Sequence, residues 1–109
     1  MADEAFAALA SETRRDILRL LHEQREMTAS AVAAQFSQVS RPAIARHLAV
    51  LRRAGLVRSA RRGRESHYRV DTAPIAVAYH DFLAHFVPMA ERSLAELKRI
   101  VESNERAGR

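Results

Sequence analysis

The sequence predicts a mainly α-helical domain with one small β-hairpin, in the order of a winged helix-turn-helix. Three observations predict this class: a capped helix over residues 41–54, a basic hairpin directly after it, and a short helix before it across a three-residue turn. With 109 residues, 48% apolar and 28% charged, the chain fits one globular domain spanning residues 1–109.

The helix over residues 41–54 carries start and stop signals at both ends. Ser40 is placed to cap the first free N–H groups, and Pro42 lies in the first turn, where its missing donor costs nothing. Val39 and Ile44 have the spacing of a hydrophobic staple, and Gly55 follows as a residue able to adopt a left-handed backbone. We therefore expect a helix that begins and ends sharply.

Two different faces follow from the periodicity of this helix. Ile44, Leu48 and Leu51 fall on one narrow stripe at about 100° per residue, so they are expected to be buried. The opposite face combines short side chains with cations. Its members are Pro42, Ala45, Arg46, Ala49 and Arg53.

The hairpin is predicted from two strand-like runs, residues 56–61 and 66–70, joined by Arg62-Gly63-Arg64-Glu65. Positive charge is concentrated in and around it. Residues 40–69 hold nine arginines and one acid, Glu65, although the net charge of the whole chain is only +5. A local basic patch on a helix and a hairpin indicates a polyanionic partner, whereas the alternative is a solvated arginine-rich face.

Three shorter helices are predicted before this region. The first spans residues 3–10, and Ser11 caps the second, which places Arg14 and Arg15 on its outer side as solvated charges or phosphate contacts. Thr28 caps a third helix over residues 29–36, and residues 37–39 then form the turn into the helix that Ser40 caps.

The C-terminal third contains more apolar residues than a helix with one covered side requires. Asp71 or Thr72 begins a helix with Pro74 in its first turn, and Pro88 separates it from a second helix that continues to residue 104. We expect an isologous dimer built from these helices and the first helix, although Phe82 and Phe86 completing the monomer core is the alternative. The expected interface residues are Phe6, Leu9, Phe82, Phe86, Met89, Leu94, Leu97 and Val101.

Several classes of protein are disfavoured. The chain has no cysteine, which excludes disulfides and thiolate metal sites. No apolar run reaches the ~20 residues needed to cross a bilayer, and the acidic start MADEAFAALA differs from a signal peptide, so we expect a cytoplasmic protein without a membrane partner. No nucleophile–base pair, phosphate-cradling glycine loop or carboxylate cluster indicates an enzyme.

Three segments resemble the ArsR/SmtB family of winged helix-turn-helix repressors. They are LASETRRDILRLL at residues 9–21, SRPAIARHLAVL at residues 40–51, and AGLV at residues 54–57. The resemblance covers nearly the whole chain. It implies a homodimer that binds a palindromic operator and blocks transcription. In many members of the family, binding of a metal releases the repressor from the operator.

The metal ligands that this resemblance implies are not reproduced. Thr28 and Ser30 stand at the positions matching the cysteine pair of the arsenic- and lead-type branch, and residues 88–104 contain no histidine for the zinc- and nickel-type site. Asp81 and His85 lie one helical turn apart and could share a face as metal ligands. His80 lies about 140° away from His85 around the helix, so the three side chains cannot easily meet on one ion, and we expect no metal and no cofactor. The chain resembles the branch without metal ligands, in which an unknown small-molecule inducer is one possible control.

The expected function is sequence-specific binding of double-stranded DNA, with residues 11–70 contacting DNA and residues 1–10 and 73–104 mediating dimerisation. Two alternatives stay open: a ligand-sensing repressor with an aromatic pocket near Tyr79, Phe82 and Phe86, and a winged-helix module that binds an acidic protein. The residues expected to contact bases in the major groove are Arg41, Pro42, Ala45 and Arg46. Those expected at phosphates or in the minor groove are Ser40, His47, Arg53, Arg61, Arg62 and Arg64.

Overall fold

A computed structural model describes residues 2–86 and 95–103 and has the mainly helical, winged architecture that the sequence predicts. The elements are α1 (Ala2–Leu9), α2 (Glu12–Gln24), β1 (Met27–Thr28), α3 (Ala29–Ala34), α4 (Arg41–Arg53), β2 (Val57–Arg62), β3 (Glu65–Val70) and α5 (Ala73–Leu83). A 3₁₀ turn at Ala84–Phe86 follows, and residues 95–103 are helical. The chain divides into two compact units, Met1–Ala78 and Tyr79–Arg109.

The helix starts lie where the side chains predict them. The hydroxyl of Ser11 accepts from the N–H of Arg14 at 3.3 Å, and that of Thr28 accepts from Ala31 at 3.1 Å. Ser40 accepts from Ala43 at 3.2 Å in the same way, with Pro42 in the first turn of α4. Each cap satisfies one donor that has no partner within its helix, so the predicted N-termini of α2, α3 and α4 are confirmed.

The core of the first unit forms where the apolar stripes of the helices meet the sheet. Its largest fully buried side chains are Ile17, Leu21, Val32, Ile44, Leu48, Leu51, Leu56 and Val57. The predicted inward stripe of α4 is therefore confirmed, and its opposite face is exposed. At the end of α4, Gly55 has a φ of +79°, the left-handed conformation expected of it.

The sheet has three antiparallel strands in the order β1-β3-β2, and the two-residue strand β1 was missed by the sequence analysis. β1 pairs Met27 with Tyr68 of β3. The prediction of a four-residue hairpin loop is wrong, because Arg62 pairs with Glu65 and only two residues form the turn. Gly63 has a φ of +64° at the first turn position, where a type II′ hairpin requires glycine.

The second unit leaves large apolar side chains exposed. Tyr79, Phe82 and Phe86 are about half exposed, at 54%, 50% and 47%, and the rings of Phe82 and Phe86 lie 5.3 Å apart at an angle of 56°. Leu97, Ile100 and Val101 are exposed as well. Of the other predicted interface residues, Met89 and Leu94 lie outside the described residues, as does Pro88.

Candidate nucleic-acid interface

The exposed face of α4 presents cations at the positive end of a helix. Arg41, Pro42, Ala45 and Arg46 are all exposed, and the first turn of α4 contains no acidic residue. A helix N-terminus carries about half a positive charge, which an internal acid normally offsets. Because α4 has no such acid and its neighbouring side chains are short, an external anion can approach both the helix end and the two guanidinium groups.

His47 lies between this exposed face and the core and is held by Arg14 of α2. The Nη1 of Arg14 donates to the Nδ1 of His47 at 3.3 Å, which places the imidazole proton on Nε2. Desolvation by burial lowers the pKa of His47, and the charges of Arg14 and Arg46 lower this pKa further. The ring is therefore neutral at pH 7 and can offer its Nε2–H to a phosphate.

Arg14 and Arg15 hydrogen-bond to the end of α1, a contact that the sequence analysis did not predict. The Nε of Arg14 donates to the carbonyl of Ala8 at 2.7 Å, and the Nη1 of Arg15 donates to that of Leu9 at 2.7 Å. Both guanidinium groups thus satisfy carbonyls at the C-terminus of α1, whose last turn contains no basic residue. The interpretation of this pair as phosphate contacts is not favoured.

The arginines of the hairpin fall into two groups. Arg62 forms an ion pair with Glu26, and Arg58 donates from its Nε to the Oδ2 of Asp71 at 2.9 Å. Arg61 and Arg64 form no ion pair with any residue in the described parts of the chain. The cations available to a partner at the tip of the hairpin are therefore Arg61 and Arg64, whereas Arg62 must first leave Glu26.

A small hollow lies beside these two available cations, at the start of α3. Its volume is about 230 Å³, and hydroxyl groups line it together with Arg61 and Arg64. The hydroxyl-bearing residues that line it are Thr28, Ser30, Ser66 and Tyr68. Glu65 lines the same hollow, so Thr28 and Ser30, which the family resemblance aligns with metal-binding cysteines, lie in a polar setting with two cations and one carboxylate.

The sequence analysis missed Glu26 as a partner of the hairpin. Its carboxylate pairs with Arg62, and its Oε2 lies 3.7 Å from the Nδ1 of His67. Glu26 immediately precedes β1, so the pairing of β1 with β3 brings it to the hairpin. No local signal in the sequence indicates this contact, because 36 positions separate Glu26 from Arg62.

The described residues contain neither a metal-binding cluster nor a helix that could span a membrane. Within residues 2–86 and 95–103, no group of three or more His, Cys, Asp or Glu side chains could hold a metal ion. Asp81 is exposed, and the side chain of His85 lies outside the described part of the structure. The helices of those same ranges include none that is both long enough and apolar enough to traverse a bilayer.

Comparison with known proteins decides the family. A helix-turn-helix domain family matches residues 9–60. The arsenical resistance operon repressor of Escherichia coli (strain K12) is 40% identical over 67 residues, covering 62% of this chain and 56% of the repressor. The structure of an ArsR-like transcriptional regulator from Rhodococcus sp. RHA1 is 38% identical, covers 91% of both chains and has a TM-score of 0.67. The chain belongs to the ArsR/SmtB family.

A further relative supports regulation as the role of this ArsR/SmtB-family protein. The transcriptional repressor SdpR of Bacillus subtilis (strain 168) is 36% identical over 70 residues, covering 64% of this chain and 76% of SdpR. All three of these relatives are named as transcriptional regulators or repressors, and none is named as an enzyme. The chain spans little more than half the length of the arsenical repressor it matches, 56%.

Proposed function

We propose that this ArsR/SmtB-family protein is a homodimeric, cytoplasmic repressor that binds a palindromic DNA operator. The observation that carries the proposal is the exposed α4 face, in which Arg41 and Arg46 flank the short side chains of Pro42 and Ala45 at an acid-free helix start. A helix with this surface fits the major groove, where arginine binds guanine O6 and N7 in a bidentate pair. Each such pair is worth about 1–3 kcal/mol of discrimination between bases.

The other predicted contacts anchor the protein on the DNA backbone. Ser40 and the N-terminus of α4 are placed to hold one phosphate, and Arg53 extends the cationic face of that helix. Arg61 and Arg64 carry the contacts of the hairpin, since neither forms an ion pair with a described residue. His47 contributes through Nε2–H, and Arg62 joins only if DNA displaces Glu26.

Dimerisation is supported by the apolar surface that the monomer leaves exposed. Phe82, Phe86, Leu97 and Val101 are each between 47% and 58% exposed, which is costly for large apolar groups in water. A two-fold dimer buries such residues against their own copies. It also presents two α4 helices to half-sites about 34–36 Å apart, which is the spacing of a palindrome. Phe6 and Leu9 of α1, together with Met89 and Leu94, complete the proposed interface.

Two matched arginine variants test the DNA interface after an operator has been selected from a random pool of duplexes. Arg46→Ala should relax the preference for particular bases while leaving the dependence of affinity on salt nearly unchanged. Arg64→Ala should weaken binding to all sequences and reduce the salt slope of the dimer by about two, since each protomer loses one phosphate contact. If the pool yields no palindrome and no duplex binds above non-specific affinity, the protein-interaction alternative replaces the proposal.

The oligomeric state is tested by one charge introduced on the exposed apolar surface. Leu97→Glu should convert the dimer to a monomer in sedimentation velocity experiments and weaken operator binding, because it buries a charge against its own copy. Lys98→Gln, at the adjacent exposed position, makes the same one-unit change in charge and should leave the dimer intact. A wild-type protein that sediments as a monomer at working concentrations would refute the dimer.

A further inference from the structure

The outer face of the sheet forms a second cationic surface, separate from the proposed base-contacting residues. Side chains alternate along β2 and β3, and the pairs Val57–Val70 and Ser59–Tyr68 face the core. The intervening pairs therefore point outwards. They are Arg58–Arg69, Ala60–His67 and Arg62–Glu65. Beside them lies an open concavity of about 710 Å³, and neither Arg41 nor Arg46 lines it.

The charges around this concavity do not balance. Four guanidinium groups line it, those of Arg52, Arg58, Arg62 and Arg69, against two carboxylates, Glu26 and Asp71. Glu26 pairs with Arg62 and Asp71 with Arg58. Arg52 and Arg69 form no ion pair with any residue that the structure describes.

Arg58 and Arg69 also stand directly opposite each other on neighbouring strands. Like charges in that relation destabilise a sheet. Asp71 offsets part of the repulsion by bonding Arg58, but its single carboxylate forms an ion pair with only one of the two guanidinium groups. Two positive charges at the concavity, those of Arg52 and Arg69, are thus left without an ion pair to any described residue.

We propose that this concavity binds a small organic anion that carries two or three carboxylate or phosphate groups. Guanidinium groups bind both kinds of group in bidentate geometry. Gly55 has no side chain and Ala60 has a short one, which leaves room on the same surface, and the volume lies within the range of about 300–1,000 Å³ usual for small-molecule sites. Two arginines of the concavity, Arg58 and Arg62, already pair with carboxylates of the chain.

Asp71 links the site to the start of α5. Its Oδ2 accepts from Arg58 at 2.9 Å, and its Oδ1 accepts from the N–H of Ala73, the first residue of α5, at 3.1 Å. An anion that bonds Arg58 competes with Asp71 for the same guanidinium group. Occupation of the site therefore alters the contact that ties the first turn of α5 to β2.

The binding test uses the full chain without DNA, so it stands or fails independently of the proposed function. Citrate and inorganic phosphate are titrated at constant ionic strength while backbone amide shifts are followed by NMR. We expect saturable shifts at Ala60 and Arg69 with citrate, and weaker binding of phosphate. Arg69→Gln should weaken citrate binding about tenfold, which is the effect of losing one hydrogen bond to a charged group. Arg41→Gln, an equal change in charge on α4, should leave the affinity unchanged.

A second pair of variants tests the competition with Asp71. Asp71→Asn should tighten citrate binding, because it removes the internal competitor for Arg58. Asp16→Asn removes an equal charge from the exposed Asp16–Arg19 pair of α2 and should not change the affinity. Wild-type amide dispersion in each variant establishes that the fold is retained.

Three outcomes overturn the proposal. The first is equal weakening by Arg69→Gln and Arg41→Gln, which indicates non-specific attraction to positive charge. The second is an unchanged or reduced affinity in Asp71→Asn. The third is that citrate and phosphate leave Ala60 and Arg69 unshifted; if a short duplex, added in a separate titration, shifts them instead, Arg69 is assigned to the DNA backbone contacts.

Discussion

Removing the guanidinium group of Arg14 tests how α1 and α4 are held to α2. Arg14→Met keeps much of the apolar stem but removes the bond from Nε to the carbonyl of Ala8, at 2.7 Å, and the bond to His47. It also removes the longer bond to the exposed carbonyl of Ala7, at 3.3 Å, which we expect to contribute little. The substitution therefore affects both the end of α1 and the environment of His47.

The expected loss of stability comes from one short, partly buried hydrogen bond, that from the Nε of Arg14 to the carbonyl of Ala8. A hydrogen bond that involves a charged group contributes about 1.5–3 kcal/mol, so we expect the free energy of unfolding to fall by about 2 kcal/mol. In a domain of this size, that loss lowers the unfolding midpoint by roughly 8–16 °C. Arg19→Met is the control: among the described residues Arg19 forms an ion pair with Asp16 alone, on the surface of α2, and its loss should cost about 0.5 kcal/mol or less.

The pKa of His47 provides a second measurement on the same variant. Burial, its largest cause, continues to hold this pKa below 6.5 in Arg14→Met, but the loss of the neighbouring charge moves it upwards. Arg15→Met removes a comparable bond to α1 without touching His47, so it should destabilise the protein and leave that pKa unchanged. If Arg14→Met is as stable as Arg19→Met, or if NMR titration finds the same pKa for His47 in all three variants, Arg14 does not hold α1 and His47 as described.

Three further predictions concern a cap, a turn and a pH dependence. Ser40→Ala should destabilise the protein by about 1 kcal/mol in chemical denaturation, because it removes the cap of α4, whereas Ser37→Ala in the exposed turn should have little effect. Gly63→Ala should cost about 1–2 kcal/mol through backbone strain alone, since φ is +64° and no atom lies within 4 Å of an added Cβ; a neutral result would contradict the turn geometry. The bond from Arg58 is the largest cause that lowers the pKa of Asp71 from 3.8. This contribution to stability is present above pH 3.8 and is lost as the pH falls through the lowered pKa, so acid titration of Asp71→Asn should lack that part of the decline.

Much of the fold was predictable because its signals are local. The caps Ser11, Thr28 and Ser40 act on amides three residues away, and Gly55 needs only its own backbone freedom. Such features depend on residues within one turn of helix, so sequence spacing is sufficient to predict them. The hairpin was predicted for the same reason. Its loop was predicted to have four residues rather than two, because Arg62 and Glu65, both polar, were assigned to the loop although they pair across the strands.

The features that were missed depend on contacts between distant residues. β1 has only two residues, too few for a recognisable pattern, and exists because β3 supplies its partners. Arg14 and His47 are 33 positions apart, and Glu26 and Arg62 are 36 apart. Nothing in the spacing of these residues along the chain reveals that they meet.

Local patterns along the chain are enough to predict where the helices begin, which face of α4 is buried, and that residues 40–69 carry nine arginines and one acid. Which of those arginines are available to a partner depends on contacts that form on folding. Arg58 and Arg62 are neutralised by Asp71 and Glu26, whereas Arg61 and Arg64 have no such acid among the described residues. The physical reason is that net charge adds along a chain, but pairing requires two groups within about 4 Å, a distance that folding alone sets.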